Sequence, residues 1–298
     1  MLQAISSQHD AHHERRRKNS LASLTASLRD SKAHLLLAAS GSVATIKLPL
    51  IIESLARRHT ERGSGKELSI RVLLTPAATR FLSGQSREQP PVSSLLAMPC
   101  VDGVYVDADE WREPWKRGDP ILHIELRRWA DMLVIAPLSA NTMAKIAGGF
   151  ADGILTSVVR AWDAWGELDS DVALPFGETA VANGSGRRRQ KKRIIVAPAM
   201  NTAMWRHPVT AKSIRVLEEE WGVNRNVKKA SQTMGTEEEG QKTADEQEKS
   251  DSLEDDSGWF EVLRPQQKTL ACGDVGDGAM MEWKEIVAVI EDRLGLEE

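Results

Sequence analysis

The chain has 298 residues, 41% of them hydrophobic and 28% charged, with a formal net charge of −4. These values fit a globular chain of one or two domains and give no electrostatic reason for a nucleic-acid partner. No apolar run reaches the roughly 18 residues that a membrane-spanning helix needs. Two cysteines, Cys100 and Cys272, are too few for a disulfide framework and suit a reducing, cytoplasmic compartment.

Residues 1–32 are mostly polar, with His9, His12 and His13 and the basic cluster Arg15 to Lys18. No cysteine or carboxylate cluster accompanies the histidines, so a disordered tail is expected rather than a metal site. The fold begins at His34 to Ala44, an apolar run that ends in Ala39-Ser-Gly-Ser42 and passes into a helical pattern through Ile46, Leu50, Ile51 and Leu55. That is strand, turn, helix, with Gly41 and Ser42 at the helix N-terminus, where free N–H groups favour an anion or an ordinary cap. The turn is not G-x-G-x-x-G, so a dinucleotide fingerprint is not supported.

Leu68 to Thr75 reads as a second strand, Pro76 to Leu82 as the start of a helix, and Gly103 to Val106 as a short strand. Asp107 to Arg117 is irregular and polar. Asp119 to Ala130 reads as a helix with Asp119 as N-cap and Pro120 at its first position. Leu122, Leu126 and Trp129 form its buried stripe. His123 lies off that stripe, compatible with a structural, solvated or proton-transferring role.

Met132 to Ala136 carries no polar residue, as a central parallel strand should. It runs into Pro137-Leu-Ser-Ala-Asn-Thr142, and Ile194 to Ala197 runs in the same way into Pro198-Ala-Met-Asn-Thr-Ala-Met-Trp205. Open α/β sheets bind ligands at the carboxyl ends of their strands, so two such ends side by side would wall one cleft. Ser139, Asn141 and Thr142 offer donors and acceptors there. Met200 and Met204 suit a flat aromatic ligand or core filling. Ile154 to Trp165, the stretch after Thr202 to about Gly222, and Trp283 to Leu294 read as helices, and Trp259 to Leu263 as a strand.

Two stretches interrupt the pattern, at about 167–192 and 230–258. The first ends in the basic run Arg187 to Arg193; the second is acidic, with Glu237 to Glu239 and Glu254 to Asp256. Both are expected to be disordered insertions within one domain spanning 33–298. The stretch Leu270-Ala-Cys-Gly-Asp-Val-Gly-Asp-Gly-Ala-Met280 has three glycines and two aspartates in eleven residues. It is expected to be an irregular loop, either a mobile lid or the seat of a working thiol.

These segments resemble the three signatures of the cysteine-decarboxylase flavoproteins, and the stretch around His123 is similar to the eukaryotic phosphopantothenoylcysteine decarboxylases. The match covers about 33–165, 193–223 and 260–295. It implies a flavodoxin-like, Rossmann-like three-layer α/β fold: a parallel sheet of about six strands with helices on both faces. It also implies FMN as cofactor and a trimer, homomeric or shared with a paralogue, with sites at subunit interfaces. By the same resemblance, Gly41, Ser42, Val43, Thr75, Ser139, Ala140, Asn141, Thr142 and Ala199 contact FMN. His123 is the active-site base, Cys272 the closing proton donor, and Asn201, Met204, Ala271 and Met280 contact substrate. The sequence departs from the family at Thr75-Pro-Ala-Ala-Thr79, where a phosphate-binding hydroxyl is missing at Ala77, leaving Thr75 or Thr79 to take its place. It departs again at Thr269, which leaves Lys268 as a phosphate contact.

The implied chemistry is coherent. A carboxylate beside an amide has no electron sink. Oxidation of the neighbouring thiol carbon to a thioaldehyde creates one, CO2 leaves to give an enethiolate, and re-reduction restores the thiol. Rival readings are a peptidyl-cysteine decarboxylase, a regulatory subunit with the same fold, a flavin prenyltransferase, and a non-enzymatic binding protein using the charged insertions as docking arms.

Overall fold

A computed structural model describes residues 19–28, 30–63, 67–166, 168, 191–223, 258–269 and 275–296. Its centre is a parallel sheet of β1 (Ala33–Ala39), β2 (Leu68–Leu74), β3 (Val101–Val106), β4 (Met132–Leu138), β5 (Arg193–Pro198) and β6 (Phe260–Val262), in the order β3-β2-β1-β4-β5-β6. Every residue of β1, β2 and β4 is buried; β4 is accordingly apolar throughout, whereas β1 and β2 also bury the polar His34, Ser69 and Arg71.

Alternate residues of β1 serve two separate cores. Leu35 and Leu37 belong to one with Ile51, Ile52, Ile286, Val287 and Ile290. These come from α2 (Leu48–Arg62) and α7 (Trp283–Leu294). Leu36 and Ala38 belong to the other, with Leu122, Leu126, Met143, Ile146, Val158 and Ile214. Those come from α3 (Leu122–Trp129), α4 (Ala140–Ala147), α5 (Ile154–Arg160) and α6 (Pro208–Arg215). The result is the expected three-layer flavodoxin-like arrangement. On the first face, Glu291 of α7 pairs with Arg58 at 2.9 Å and Arg62 at 3.4 Å, both on α2.

The second core is anchored by Trp129, 1% exposed, whose indole stacks on His34 at 4.5 Å and lies 5.0 Å from the Arg71 guanidinium. Trp129→Ala is expected to lower stability by about 3–5 kcal/mol, measured by denaturant unfolding. A loss under about 1 kcal/mol would show that the site collapses without a cavity.

Several local expectations change. The stretch expected to be a disordered tail to residue 32 contains α1 (Leu21–Ala26), whose Leu24 is fully buried. Just before it, the Asn19 side chain bonds the backbone of Val104 in β3, accepting from the amide at 2.9 Å and donating to the carbonyl. The helix after β1 opens as a tighter 3-10 turn, Val43–Lys47. α3 begins at Leu122 with Ile121, not Asp119, at its N-cap. Asp119 is spent on a preceding turn, its carboxylate accepting from Lys116 N–H and its carbonyl from the Trp115 indole, both at 2.9 Å. The stretch after Thr202 is not one helix to Gly222, because Pro208 starts α6 afresh after the single turn Thr202–Trp205.

The glycine-rich stretch is not wholly irregular. Val275–Ala279 is a strand, β8, paired antiparallel to β7 (Gln266–Thr269). Here glycine serves close approach to neighbouring backbone rather than chain reversal. The basic and acidic insertions lie outside the described residues, apart from Leu168, Lys191, Lys192 and Gly258 at their margins.

Candidate active site

The strand ends are tied together by a residue the sequence reading passed over. Ser40, fully buried just after β1, accepts from the Ser139 N–H at 2.7 Å. Its hydroxyl proton is shared between the Pro137 carbonyl and the Ser139 Oγ, both at 3.1 Å. The ends of β1 and β4, neighbours where the strand order reverses, are thereby locked together. Ser139 also caps α4, accepting from the Thr142 N–H at 3.4 Å and lying 3.2 Å from the Thr142 hydroxyl. Ser40→Ala would leave a buried N–H without its acceptor. A loss of about 1–3 kcal/mol is expected, read by thermal unfolding. The signal available in the sequence was Ala39-Ser-Gly-Ser42, where either serine fits a turn.

Around this knot lie small or unspent groups. A Cβ on Gly41 would lie 2.6 Å from the Cβ of Ala77, so the turns after β1 and β2 touch only because Gly41 has none. Ser42 precedes the 3-10 turn but its hydroxyl does not cap it, and Val43 is 45% exposed. Thr75 accepts from the Ala78 N–H at 3.3 Å and keeps its own proton to donate. Ala140 is half-buried, Asn141 exposed and Thr142 buried on the first turn of α4.

The β5 end forms the adjoining wall. Ala199, buried, donates its N–H to the Leu138 carbonyl at 2.9 Å. The Asn201 Oδ1 accepts from the Met204 N–H at 2.8 Å, so the amide NH2 of this exposed side chain is left to donate. Met204 is 45% exposed. β8 lies across this wall, with the Gly278 carbonyl accepting from the Met200 N–H at 2.9 Å. Asp277 pairs with Arg206 at 2.7 Å. Met280, 8% exposed, is packed into the core with α2 and α7. Ala271 and Cys272 lie outside the described residues.

His123 stands apart from these walls. Its imidazole Nδ1 is 2.7 Å from the Oε1 of Glu110, and the two side chains are 21% and 6% exposed. They open on a cavity of about 440 Å³ lined also by Trp111, Ala151, Ser157, Arg160 and Ala161. None of the strand-end residues lines it. Glu110, which the sequence reading did not single out, follows the 3-10 turn Asp107–Asp109 that leaves β3. Nearby, burial pushes the Asp107 carboxyl above its ordinary range, opposed by the Ile154 N–H that it accepts. Among the described residues no cluster of potential metal ligands occurs and no helix is long and apolar enough to cross a membrane.

A family model described as Flavoprotein matches residues 23–245. The chain belongs to the flavoprotein family. Within it, this flavoprotein is 36% identical over 251 residues to a phosphopantothenoylcysteine decarboxylase of Arabidopsis thaliana, covering 84% of the chain and 80% of the relative. It is also 36% identical over 271 residues to a probable thymidylate synthase of Schizosaccharomyces pombe; 91% of the chain aligns, but it spans only 31% of that relative. A solved PPC decarboxylase mutant complexed with pantothenoylaminoethenethiol superposes with a TM-score of 0.54 at 34% identity, over 90% of this chain and 100% of that one. The FMN binding protein AtHal3 superposes at 0.51 and 33%, over 90% and 99%.

Proposed function

We propose that this flavoprotein is an FMN-dependent decarboxylase that converts phosphopantothenoylcysteine to 4'-phosphopantetheine in coenzyme A biosynthesis. The observation that carries the reading is a strand-end cradle of small and hydroxyl-bearing residues in a chain that also presents a carboxylate-held histidine to a cavity.

The cradle fits FMN. The touching turns at Gly41 and Ala77, the uncommitted Ser42 hydroxyl, and the N-terminus of α4 with exposed Asn141 suit a phosphate and a polar ring edge. Gly41, Ser42, Val43, Thr75, Ser139, Ala140, Asn141, Thr142 and Ala199 would hold it. When bound, FMN supplies the reversible two-electron exchange that turns the substrate's thiol carbon into a thioaldehyde and later restores it, which no side chain can do. His123 takes the proton released at the substrate in the first half-reaction. Asn201 directs its NH2 at the departing carboxylate, and its hold weakens as the charge is lost in neutral CO2. Met204 flanks the same position, and Ala271 and Met280 make further substrate contacts. Cys272 delivers the last proton to the enethiolate carbon.

Since the His123 cavity shares no lining residue with the cradle, we assign the complete site to two subunits, as in a trimer, working in the cytoplasm. Purified chain is expected to be yellow, to sediment as a trimer and to release CO2 from phosphopantothenoylcysteine. A colourless or inactive protein refutes the assignment, whereas activity only with a co-purified paralogue makes the trimer a mixed one. Cys272→Ser is expected to decarboxylate yet stop short of re-reduction, so mass spectrometry should find an enethiol lacking two hydrogens relative to the normal product. Normal product at the wild-type rate would remove Cys272 from the mechanism.

A further inference from the structure

We infer that Glu110 is a positioning residue that fixes which nitrogen of His123 does the chemistry. The inference rests on the proposed role of His123 as the base. A carboxylate can only accept hydrogen bonds, and its Oε1 lies 2.7 Å from His123 Nδ1. The proton of the neutral ring therefore sits on Nδ1, and Nε2 is the nitrogen with a free lone pair.

The carboxylate is placed independently of the histidine it holds. The Glu110 N–H donates to the Asp107 carbonyl at 3.2 Å. Asp107 accepts from the Ile154 N–H at 3.2 Å, which ties the turn to the start of α5. Asp109 accepts from the Val106 N–H at 2.8 Å and pairs with Arg112, which ties it back to β3. His123 comes from a different element, α3, so the contact joins two separately anchored parts.

The Glu110 carboxylate is nearly inaccessible, and its second oxygen, Oε2, is buried with no hydrogen-bond partner among the described residues. A buried carboxylate is unfavourable unless paired, and among the described residues His123 is the side chain that pairs with this one. The charged groups around the pair are Asp107 and Asp109, the latter offset by Arg112, with Arg160 of α5 lining the same cavity. Removing Glu110's charge thus leaves no other carboxylate among the described residues bonded to the ring.

The test uses the holoenzyme with Glu110→Gln, which has nearly the same shape. A glutamine amide can turn its NH2 to Nδ1 and drive the ring proton onto Nε2, silencing the working nitrogen. The expected result is a fall in kcat of about 10–100-fold or more, as for other outer carboxylates that orient a histidine, with KM within about twofold. In wild type, a downfield proton resonance assigned to His123 Nδ1–H, absent from His123→Asn, is expected; it is lost in Glu110→Gln. Glu110→Asp keeps acceptor-only chemistry and should recover part of kcat. Unchanged kcat and an unchanged resonance in Glu110→Gln overturn the inference, as does a rise in KM alone. If wild type itself proves inactive, the proposed function fails, and presence or absence of the Nδ1–H resonance still decides the role of Glu110.

Discussion

His123→Asn should abolish CO2 release, by about 10²–10⁴-fold or more, while leaving FMN bound. The imidazole is 21% exposed and touches the protein through Glu110. Asparagine retains an N–H donor for that carboxylate, so the buried charge keeps a partner and the fold is not put at risk. What it lacks is a basic ring nitrogen that can take up a proton. The residues assigned to FMN lie at the ends of β1, β2, β4 and β5, and none lines the His123 cavity. Flavin absorbance should therefore remain when turnover is gone. Loss of the yellow colour, or a lowered unfolding temperature, would instead make the histidine structural.

Gly278→Ala should uncouple the β7–β8 hairpin from the β5 wall. A Cβ at residue 278 would lie 2.3 Å from the Met200 carbonyl oxygen, a backbone atom just beyond β5. That oxygen cannot swing aside as a side chain would. Overpacking of this kind costs about 1–3 kcal/mol. Here it also threatens the 2.9 Å bond from the Met200 N–H to the Gly278 carbonyl. If the hairpin must dock for turnover, kcat should fall by about tenfold per 1.4 kcal/mol. Hydrogen exchange at the Met200 amide should rise in parallel, while exchange in β1 and β4 stays slow. Wild-type turnover with fast Met200 exchange would show that docking is dispensable.

Much of this architecture was visible in the residues, for a physical reason. A strand buried on both faces, such as Met132–Leu138, is mostly apolar, and the polar residues that follow it mark the strand end. The stripe Leu122, Leu126, Trp129 revealed α3 and left His123 beside it. Glu110 was hidden because its position comes from backbone bonds of an aperiodic turn, which leave no spacing to read. β8 was hidden because its glycines report the closeness of Met200 and Thr202, residues distant in sequence. α1 was missed because the only fully buried side chain of this short helix, Leu24, gives no periodicity to read. Asp119 was misread as a cap because a good capping residue can equally serve the turn before the helix.

The clasp between α7 and α2 bears on how the molecule is made. Leu35 and Leu37 of the first strand share a core with Ile286, Val287 and Ile290, and Glu291 grips Arg58 and Arg62. During synthesis, α2 can cover only its own share of that face, and the share that α7 covers stays open until α7 has left the ribosome. The nascent chain must therefore carry an open apolar surface from the making of β1 until α7 emerges, and chaperone occupancy should end only then.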